Sequence, residues 1–582
     1  MNPFRDRIVA SPWDATGIDV PAIHGDVFER CVACVESVRD LKRSGGLLIH
    51  GEAGSGKTHL LRQLRARLTP SAPADTSRKD SLFTWVRLQT SSRMIWRTLR
   101  RALVEDWFRP VAGVRSQFDR VLFHRLAGIR IAEGDLELWH DYMVREQPAD
   151  LSMHLEEIAV ALHLDRNTAI AFEHIAFGRH RRDLRAWLAG DSLPASALEQ
   201  LGLAQEDAVD EEREDEARRV VFNLCTLAGE KLPVVIAFDQ VEALQTSADD
   251  RESLAAFGKV VGALHDGPSN LLLLSSVQSS FVTLLKDVIR EADAERMTSL
   301  GACSLDPVTR EQALELIAAR LAPVADGLPA TRSRAWPVSD DEFERLFANN
   351  ALTPRRLLTV CAERFESPDA VAEPVSVSPI PRAASREAYL APLWERTFAV
   401  CLRDNTPDRT EQIVRHALPL AAGLFPLRAR EARDAALTDV ELIFDAPGGR
   451  SGVAFATQAN MTSLAARLKR IKQQWAEGRL SRLALVRDPR IELTKTAKAA
   501  RQHLDDLRAE GVVLVEPGPE CLAGLDALRV LLSDAKSGDL SDGGESVPPD
   551  EVAAWLRTRL PADVRALLGE ILGAAVFGAG DE

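Results

Sequence analysis

With 582 residues the chain exceeds what one core can hold, and its length implies roughly three or four domains. Apolar residues at 46% and charged residues at 27% make a globular balance, and no apolar run reaches the roughly 18 residues of a membrane helix. A net charge of −14 excludes wholesale coating of nucleic acid, although it leaves room for a local basic patch.

The first stretch, MNPFRDRIVASPWD, lacks the apolar core of a signal peptide. The seven cysteines are odd in number and form no disulfide pattern. Both observations point to the cytoplasm. Cys31 and Cys34 form the one C-x-x-C, inside DVFERCVACVESVRDL, which has the periodicity of an amphipathic helix. With no second pair nearby, they read as a buried helix face rather than a metal or redox site.

Residues 47–61, LLIHGEAGSGKTHLL, run from an apolar strand through a glycine-rich turn into a helix. Gly51, Glu52, Ala53, Gly54, Ser55, Gly56, Lys57 and Thr58 match G-x-x-x-x-G-K-[ST] at every fixed position. Glycines let the backbone wrap a polyphosphate and aim its N–H groups inward, and the helix that follows offers its N-terminus to the anion. Lys57 reaches the terminal phosphates of ATP and the Thr58 hydroxyl holds Mg²⁺; His59 closes the contact set.

A strand FTWVR and a basic helix follow, and then a mostly helical stretch at about 107–215. The acidic run EDAVDEEREDE at 206–216 reads as a solvated loop. The second half of the nucleotide site is expected in KLPVVIAFDQVEAL, 231–244. Its continuous apolar run marks a buried parallel strand, and Asp239 ends it where a carboxylate would hold Mg²⁺. Gln240 follows, and then Glu242. On an extended backbone these two point the same way, which makes Glu242 the candidate to orient the attacking water. SNLLLLSSVQSSF, 269–281, is a further apolar strand, with Ser276 and Gln278 at its polar end as candidate sensors of the terminal phosphate. In NNALTPRRLLTVC, 349–361, Arg355 and Arg356 fall in a helix's first turn, where cations oppose the helix dipole unless an anion is near.

These four segments, in this order, resemble the AAA+/STAND group of P-loop ATPases, closest to its origin-recognition-like branch and bacterial relatives. DQVE is similar to the D-Q-x-E variant of STAND-type ATPases, TPRRLL to the sensor-2 segment of the helical lid, and LDPVTREQALELIAARL to the first lid helix. The resemblance implies an arginine finger before the last core strand, placing Arg296 there with Arg290 as its rival, supplied to a neighbouring subunit of a homo-oligomer. Gln240, where AAA+ ATPases commonly have Glu, argues against fast hydrolysis. The pattern WLAGDSL within RHRRDLRAWLAGDSLPASALEQLGL resembles ATPases of bacterial anti-phage systems.

SPDAVAEPVSVSPIPRAAS, 367–385, reads as a linker. Beyond it come helices, a hairpin around Pro447, Gly448 and Gly449, and then helix, strand, helix, strand. That order resembles the PD-(D/E)xK nuclease fold. Asp445 is the candidate first carboxylate, but the E-x-K position reads Ala456-Thr457-Gln458, so the resemblance implies a nuclease fold without nuclease chemistry. From Arg467 to Arg501 eleven basic residues face three acids, and Arg467, Lys469, Arg470 and Lys472 are the candidate contacts to duplex DNA.

The expected architecture is α/β. A P-loop parallel-sheet ATPase core spans 1–300 with the helical insertion, a helical lid 301–366, a linker 367–385, a restriction-endonuclease-like α/β domain 386–535, and a linker with C-terminal helices 536–582. The expected function is that of an ATP- and Mg²⁺-dependent switch that assembles on ATP and engages DNA or a separate effector protein, away from membranes, in anti-phage or anti-plasmid defence. A nucleotide-gated scaffold with little hydrolysis and an ATP-dependent nuclease are the alternatives.

Overall fold

The computed structural model describes the chain except residues 1, 5–8, 10, 14–17, 70–80, 89–93, 111–115, 127–148, 192, 204–209, 231, 246–250, 328–331, 348–351, 367–381, 404, 426–429, 433, 435, 447–448, 459–460, 494–496, 537–539, 543–544 and 574–582. Most of the proposed linker, the tip of the C-terminal hairpin and Lys495 therefore lie outside the described residues. The fold divides into two compact units, residues 1–179, 217–379 and 537–546, and residues 180–216, 380–536 and 547–582.

The first unit is built on a five-stranded parallel sheet. Its strands are β1 (Gly45–Gly51), β2 (Leu82–Arg87), β3 (Val234–Asp239), β4 (Leu271–Val277) and β5 (Ala302–Leu305), in the spatial order β2-β3-β4-β1-β5. Every residue of β3 and β4 is buried, as expected of central strands covered on both faces. One face packs against α1 (Gly25–Leu41) and α2 (Lys57–Leu68): Cys31, Cys34, Val35, Leu60, Leu61 and Leu64 meet Leu47, Ile49, Val235 and Leu272. Cys31 and Cys34 are thus core residues, and burial pushes both thiols up.

β2 is an edge strand, and its outward backbone groups are satisfied by side chains of α3 (Ile95–Trp107) and α4 (Gln117–Leu126). The Gln117 amide pairs with both the N–H and the C=O of Phe83, and Asp106 Oδ2 accepts from Trp85 N at 2.8 Å. This cover blocks pairing with another chain at that edge. The helices Arg310–Leu321, Asp340–Leu346 and Pro354–Glu366, where the lid was expected, gather around a separate apolar cluster that includes Ile317, Phe343, Leu357 and Cys361. The first is opened by a capping box between Thr309 and Gln312.

The second unit carries a mixed sheet of β6 (Arg430–Ala432), β7 (Leu442–Ala446), β8 (Gly449–Phe455), β9 (Arg482–Val486) and β10 (Val513–Val515), in the order β10-β9-β8-β7-β6. β6, β7 and β8 are antiparallel neighbours, whereas β8, β9 and β10 are parallel. Helices Met461–Ala476 and Lys498–Ala509 bury Leu464, Leu468, Ile471, Leu504 and Leu507 against it. The hairpin and the alternation of helix and strand follow the sequence expectation; β6 was not foreseen. Residues 180–216, expected within the ATPase core, belong to this unit instead, where Arg213 lies 4.0 Å from Glu411. Amphipathic helices such as Arg181–Ala189 pack on whichever apolar face the fold supplies, and sequence adjacency does not specify which. No described helix is long and apolar enough to cross a membrane.

Candidate nucleotide site

Parallel register brings the C-terminal ends of β1, β3 and β4 together: Ile49 lies beside Ser276, and Ala237 beside Leu274. The phosphate loop leaves β1 at Gly51, where a Cβ would stand 2.6 Å from Ser55 Oγ and 2.9 Å from Leu305 Cβ. Gly54 and Gly56 take φ of +77° and +107°, which glycine adopts without strain. Gly56 caps α2 without any side-chain bond, so the helix's first N–H groups are left for an anion. Lys57 Nζ donates to the carbonyls of Gly51 at 2.8 Å and Glu52 at 3.1 Å, which holds the ammonium over the loop.

Thr58 and Asp239 are far apart in sequence, and the fold brings them into contact. Thr58 Oγ1 donates to Asp239 Oδ2 at 2.9 Å. Asp239 is 1% exposed, and its other oxygen, Oδ1, has no hydrogen-bond partner among the described residues. A buried carboxylate oxygen without a donor is costly unless a cation or water completes it. A hydroxyl and a carboxylate are the hard oxygen donors that Mg²⁺ takes beside phosphate and water, so the donor set fits the metal. Ser55 Oγ and Ser276 Oγ are likewise buried without partners among the described residues.

The helix Pro354–Glu366 starts against this loop. Arg355 N donates to Gly54 O at 3.3 Å, and a Cβ on Gly54 would fall 2.7 Å from Arg355 Cβ. The expected sensor-2 arginine therefore stands beside the phosphate loop. Gln278 sits just past β4, at the cap of a short 3-10 turn, Ser279–Phe281. His59 faces away from the loop's glycines: its Nε2 meets Asp19 Oδ1 at 3.1 Å, and this bond, with Arg62 beside it, holds the Asp19 carboxyl below its usual range.

One expected geometry fails here. The extended-chain argument for Glu242 does not hold, because Gln240 turns into the left-handed region at φ 58° and residues 241–244 form a 3-10 turn. Gln240 Oε1 accepts from Arg87 Nε at 3.0 Å, whereas Glu242 is buried in the turn. Arg296, expected to serve a neighbouring subunit, lies away from this chain's own phosphate loop. Its backbone carbonyl lies 2.3 Å from where a Cβ on Gly46 would be, at the opposite end of β1, about 17 Å from the loop by strand rise. Its guanidinium pairs with Asp266 at 2.7 Å and with Asp293 at 3.8 Å. Arg290 pairs with Asp293 as well.

Sequence reasoning missed three residues that touch the site. Trp85 Nε1 donates to Asp239 Oδ2 at 3.2 Å, Arg87 holds Gln240, and His24 Nε2 donates to Ser55 O at 3.0 Å. Burial lowers the His24 pKa, in keeping with a neutral ring. Only Trp85 left a signal, as an indole within a sheet strand whose N–H needs an acceptor.

In the second unit the candidate nuclease carboxylate is misplaced. Asp445 is exposed near the hairpin tip and pairs with Arg450 at 3.1 Å. The buried acids of this unit's sheet are elsewhere. Glu441, whose side chain is 1% exposed, pairs with Arg467 and lies 3.8 Å from Arg415; Arg415 also meets Glu411 at 2.7 Å, which accepts from Thr457 Oγ1. The proposed DNA patch is likewise corrected. Arg467 is buried, Arg470 forks onto Asp439 at 3.1 Å, and Lys472 bridges Asp506 and Glu510, leaving Lys469 as the exposed member without such a pairing shown. Among the described residues no cluster of histidine, cysteine and carboxylates suited to a metal ion occurs.

A family model described as "AAA ATPase domain" matches residues 28–274, from α1 through β4. No curated protein matches the chain. Among solved structures, a Walker-type ATPase of Pyrococcus abyssi is similar at 17% identity, covering 72% of this chain and 84% of that one, with a TM-score of 0.28. The Aeropyrum pernix Orc1 protein, solved in complex with DNA, is similar at 12% identity, covering 86% and 88%, also at 0.28. Residues 28–274 are an AAA ATPase domain, and the activity of such a domain is ATP hydrolysis.

Proposed function

We propose that this chain is an ATP-driven switch whose second unit engages a separate effector protein. The observation that carries the reading is the contact of Thr58 with Asp239 under a helix N-terminus left bare for phosphate. Mg²⁺, when bound, neutralises charge on the terminal phosphates. In this reading Lys57 and the loop N–H groups bind the β- and γ-phosphates, Ser276 and Gln278 face the γ-phosphate, and Arg355 ties the lid to the loop. Glu242, in the turn that follows Asp239, stays the candidate to orient the attacking water although the extended-chain route to it is lost. Arg296 acts on a neighbouring copy, since its own loop is out of reach, and so the active form is a homo-oligomer built on ATP.

An effector is favoured over duplex DNA because the basic residues behind the C-terminal sheet are largely spent on internal acids. The same unit lacks the E-x-K charges at Ala456 and Gln458, which favours recruitment over cutting. The setting we favour is bacterial defence against phage or plasmid DNA in the cytoplasm, on the sequence resemblance alone. The test is ATP turnover together with particle size by light scattering, with and without ATP. Turnover and ATP-dependent growth in size, both lost in Lys57→Ala, are expected. A monomer at saturating ATP refutes the switch. Tight ATP binding with negligible turnover gives the scaffold reading instead, which the turn of Gln240 towards Arg87 favours.

A further inference from the structure

We propose that Trp85 is a positioning residue for the metal carboxylate Asp239; this rests on the reading of Asp239 as a Mg²⁺-holding group. A carboxylate that must present one oxygen to a metal's water shell needs its other oxygen fixed. Two donors fix it here. The Thr58 hydroxyl and the Trp85 indole N–H both bond to Oδ2, at 2.9 Å and 3.2 Å, and Oδ1 is left buried without a partner among the described residues. If Mg²⁺ binds, the Thr58 hydroxyl would meet it through an oxygen lone pair and have only its single O–H to share with Oδ2. The indole has no other task at this site and no lone pair to offer a metal. It remains as the fixed donor.

The rest of β2 holds the indole in place. Trp85 N is bonded to Asp106 Oδ2, and Arg87, the register mate of Asp239, holds Gln240. Asp239 and the residue after it are thus both tied to one edge strand. That strand is itself fastened by α3 and α4 through Asp106 and Gln117. The position of the metal carboxylate is therefore set partly from outside the phosphate loop and β3.

The test measures Mn²⁺ binding to the full-length protein with ADP present, by electron paramagnetic resonance of free Mn²⁺, beside metal-free ADP affinity. In one variant, Trp85 is replaced by β-(3-benzothienyl)alanine, which keeps the ring's size and removes the N–H. In a second it is Trp85→Phe. Both are expected to bind Mn²⁺ about 10- to 100-fold more weakly, as for loss of a group that orients a metal ligand, with metal-free ADP affinity unchanged. Asp239→Ala serves as reference and is expected to lose the Mn²⁺ site. Unchanged Mn²⁺ affinity in the benzothienyl variant, with the site lost in Asp239→Ala, overturns the role of Trp85 and leaves Asp239 intact. Undiminished Mn²⁺ binding in Asp239→Ala overturns the reading beneath it. Equal losses of metal-free ADP binding and Mn²⁺ binding in both Trp85 variants mean that the ring merely packs, and overturn the proposal too.

Discussion

Asp106 is the acid whose charge the fold suppresses most usefully for experiment. It is buried at the edge of the first sheet, accepts from Trp85 N at 2.8 Å, and has Arg109 no closer than 3.9 Å. Burial, only partly offset by that hydrogen bond and by Arg109, raises its pKa from 3.8 to about 7. A carboxyl raised in the folded state stabilises the protein most below its unfolded pKa. Between the two values the folded state holds the proton that the unfolded state has lost, so stability falls as pH rises and levels off above about 7. A shift of about three units corresponds to roughly 4 kcal/mol at full effect, on the order of 1.4 kcal/mol per pH unit within the window. Asp106→Asn keeps an oxygen for Trp85 N and removes the titration. Melting of the full chain followed from pH 5.5 to 8.5 by tryptophan fluorescence is expected to fall less steeply in the variant. The variant's advantage over the wild type should grow with pH and then flatten near 7. Parallel pH profiles for the two proteins would refute the argument, because they would mean that Asp106 is already ionised in the folded state.

The other predictions concern the loop, the turn after β3 and the second sheet. Gly54→Ala must place a Cβ 2.7 Å from Arg355 Cβ at φ +77°, so nucleotide affinity should fall by about tenfold or more for a strain of roughly 1–2 kcal/mol, whereas Gly25→Ala, with nothing within 4 Å, should be neutral by the same fluorescent-nucleotide titration. Glu242→Gln should lower kcat about 100-fold or more with ATP affinity unchanged. Gln240→Glu should change turnover little, because that side chain is held at Arg87; a large gain in the second variant would show that position 240, not 242, addresses the water. Arg467→Met should destabilise the second unit by about 3–5 kcal/mol by stranding Glu441, and adding Glu441→Gln should recover much of it. A calorimetric transition unmoved by the single substitution would mean that the pair is not buried as seen.

The phosphate loop and the acid that meets Thr58, proposed here to hold the metal, were legible because their chemistry fixes residue types at short range. Glycines, Lys57 and Thr58 stand within eight residues, and Asp239 ends an apolar strand that admits few other places in a fold. The reading failed wherever a side chain's partner comes from distant sequence. Alternation was extended one residue too far, past Asp239, since nothing local announced that Gln240 would turn and find Arg87 on another strand. Trp85 was passed over because its acceptor lies on β3, and Asp445 was chosen although Glu441, four residues earlier, is the buried acid of that strand's entrance.

The basic cluster shows the same error in charge. Counted along the chain from Arg467 to Arg501, acids are few. In the fold, Asp439, Glu441, Asp506 and Glu510 enter from neighbouring elements and take up Arg470, Arg467 and Lys472. A window of sequence measures charge along one dimension, whereas a polyanion meets it in three. The appropriate test of that surface is therefore not reversal of all four residues, which would break buried pairs and unfold the sheet. It is Lys469→Glu alone: an exposed charge that matters to a nucleic acid lowers its salt slope by about one unit, and one that is only solvated leaves the slope unchanged while the protein stays folded.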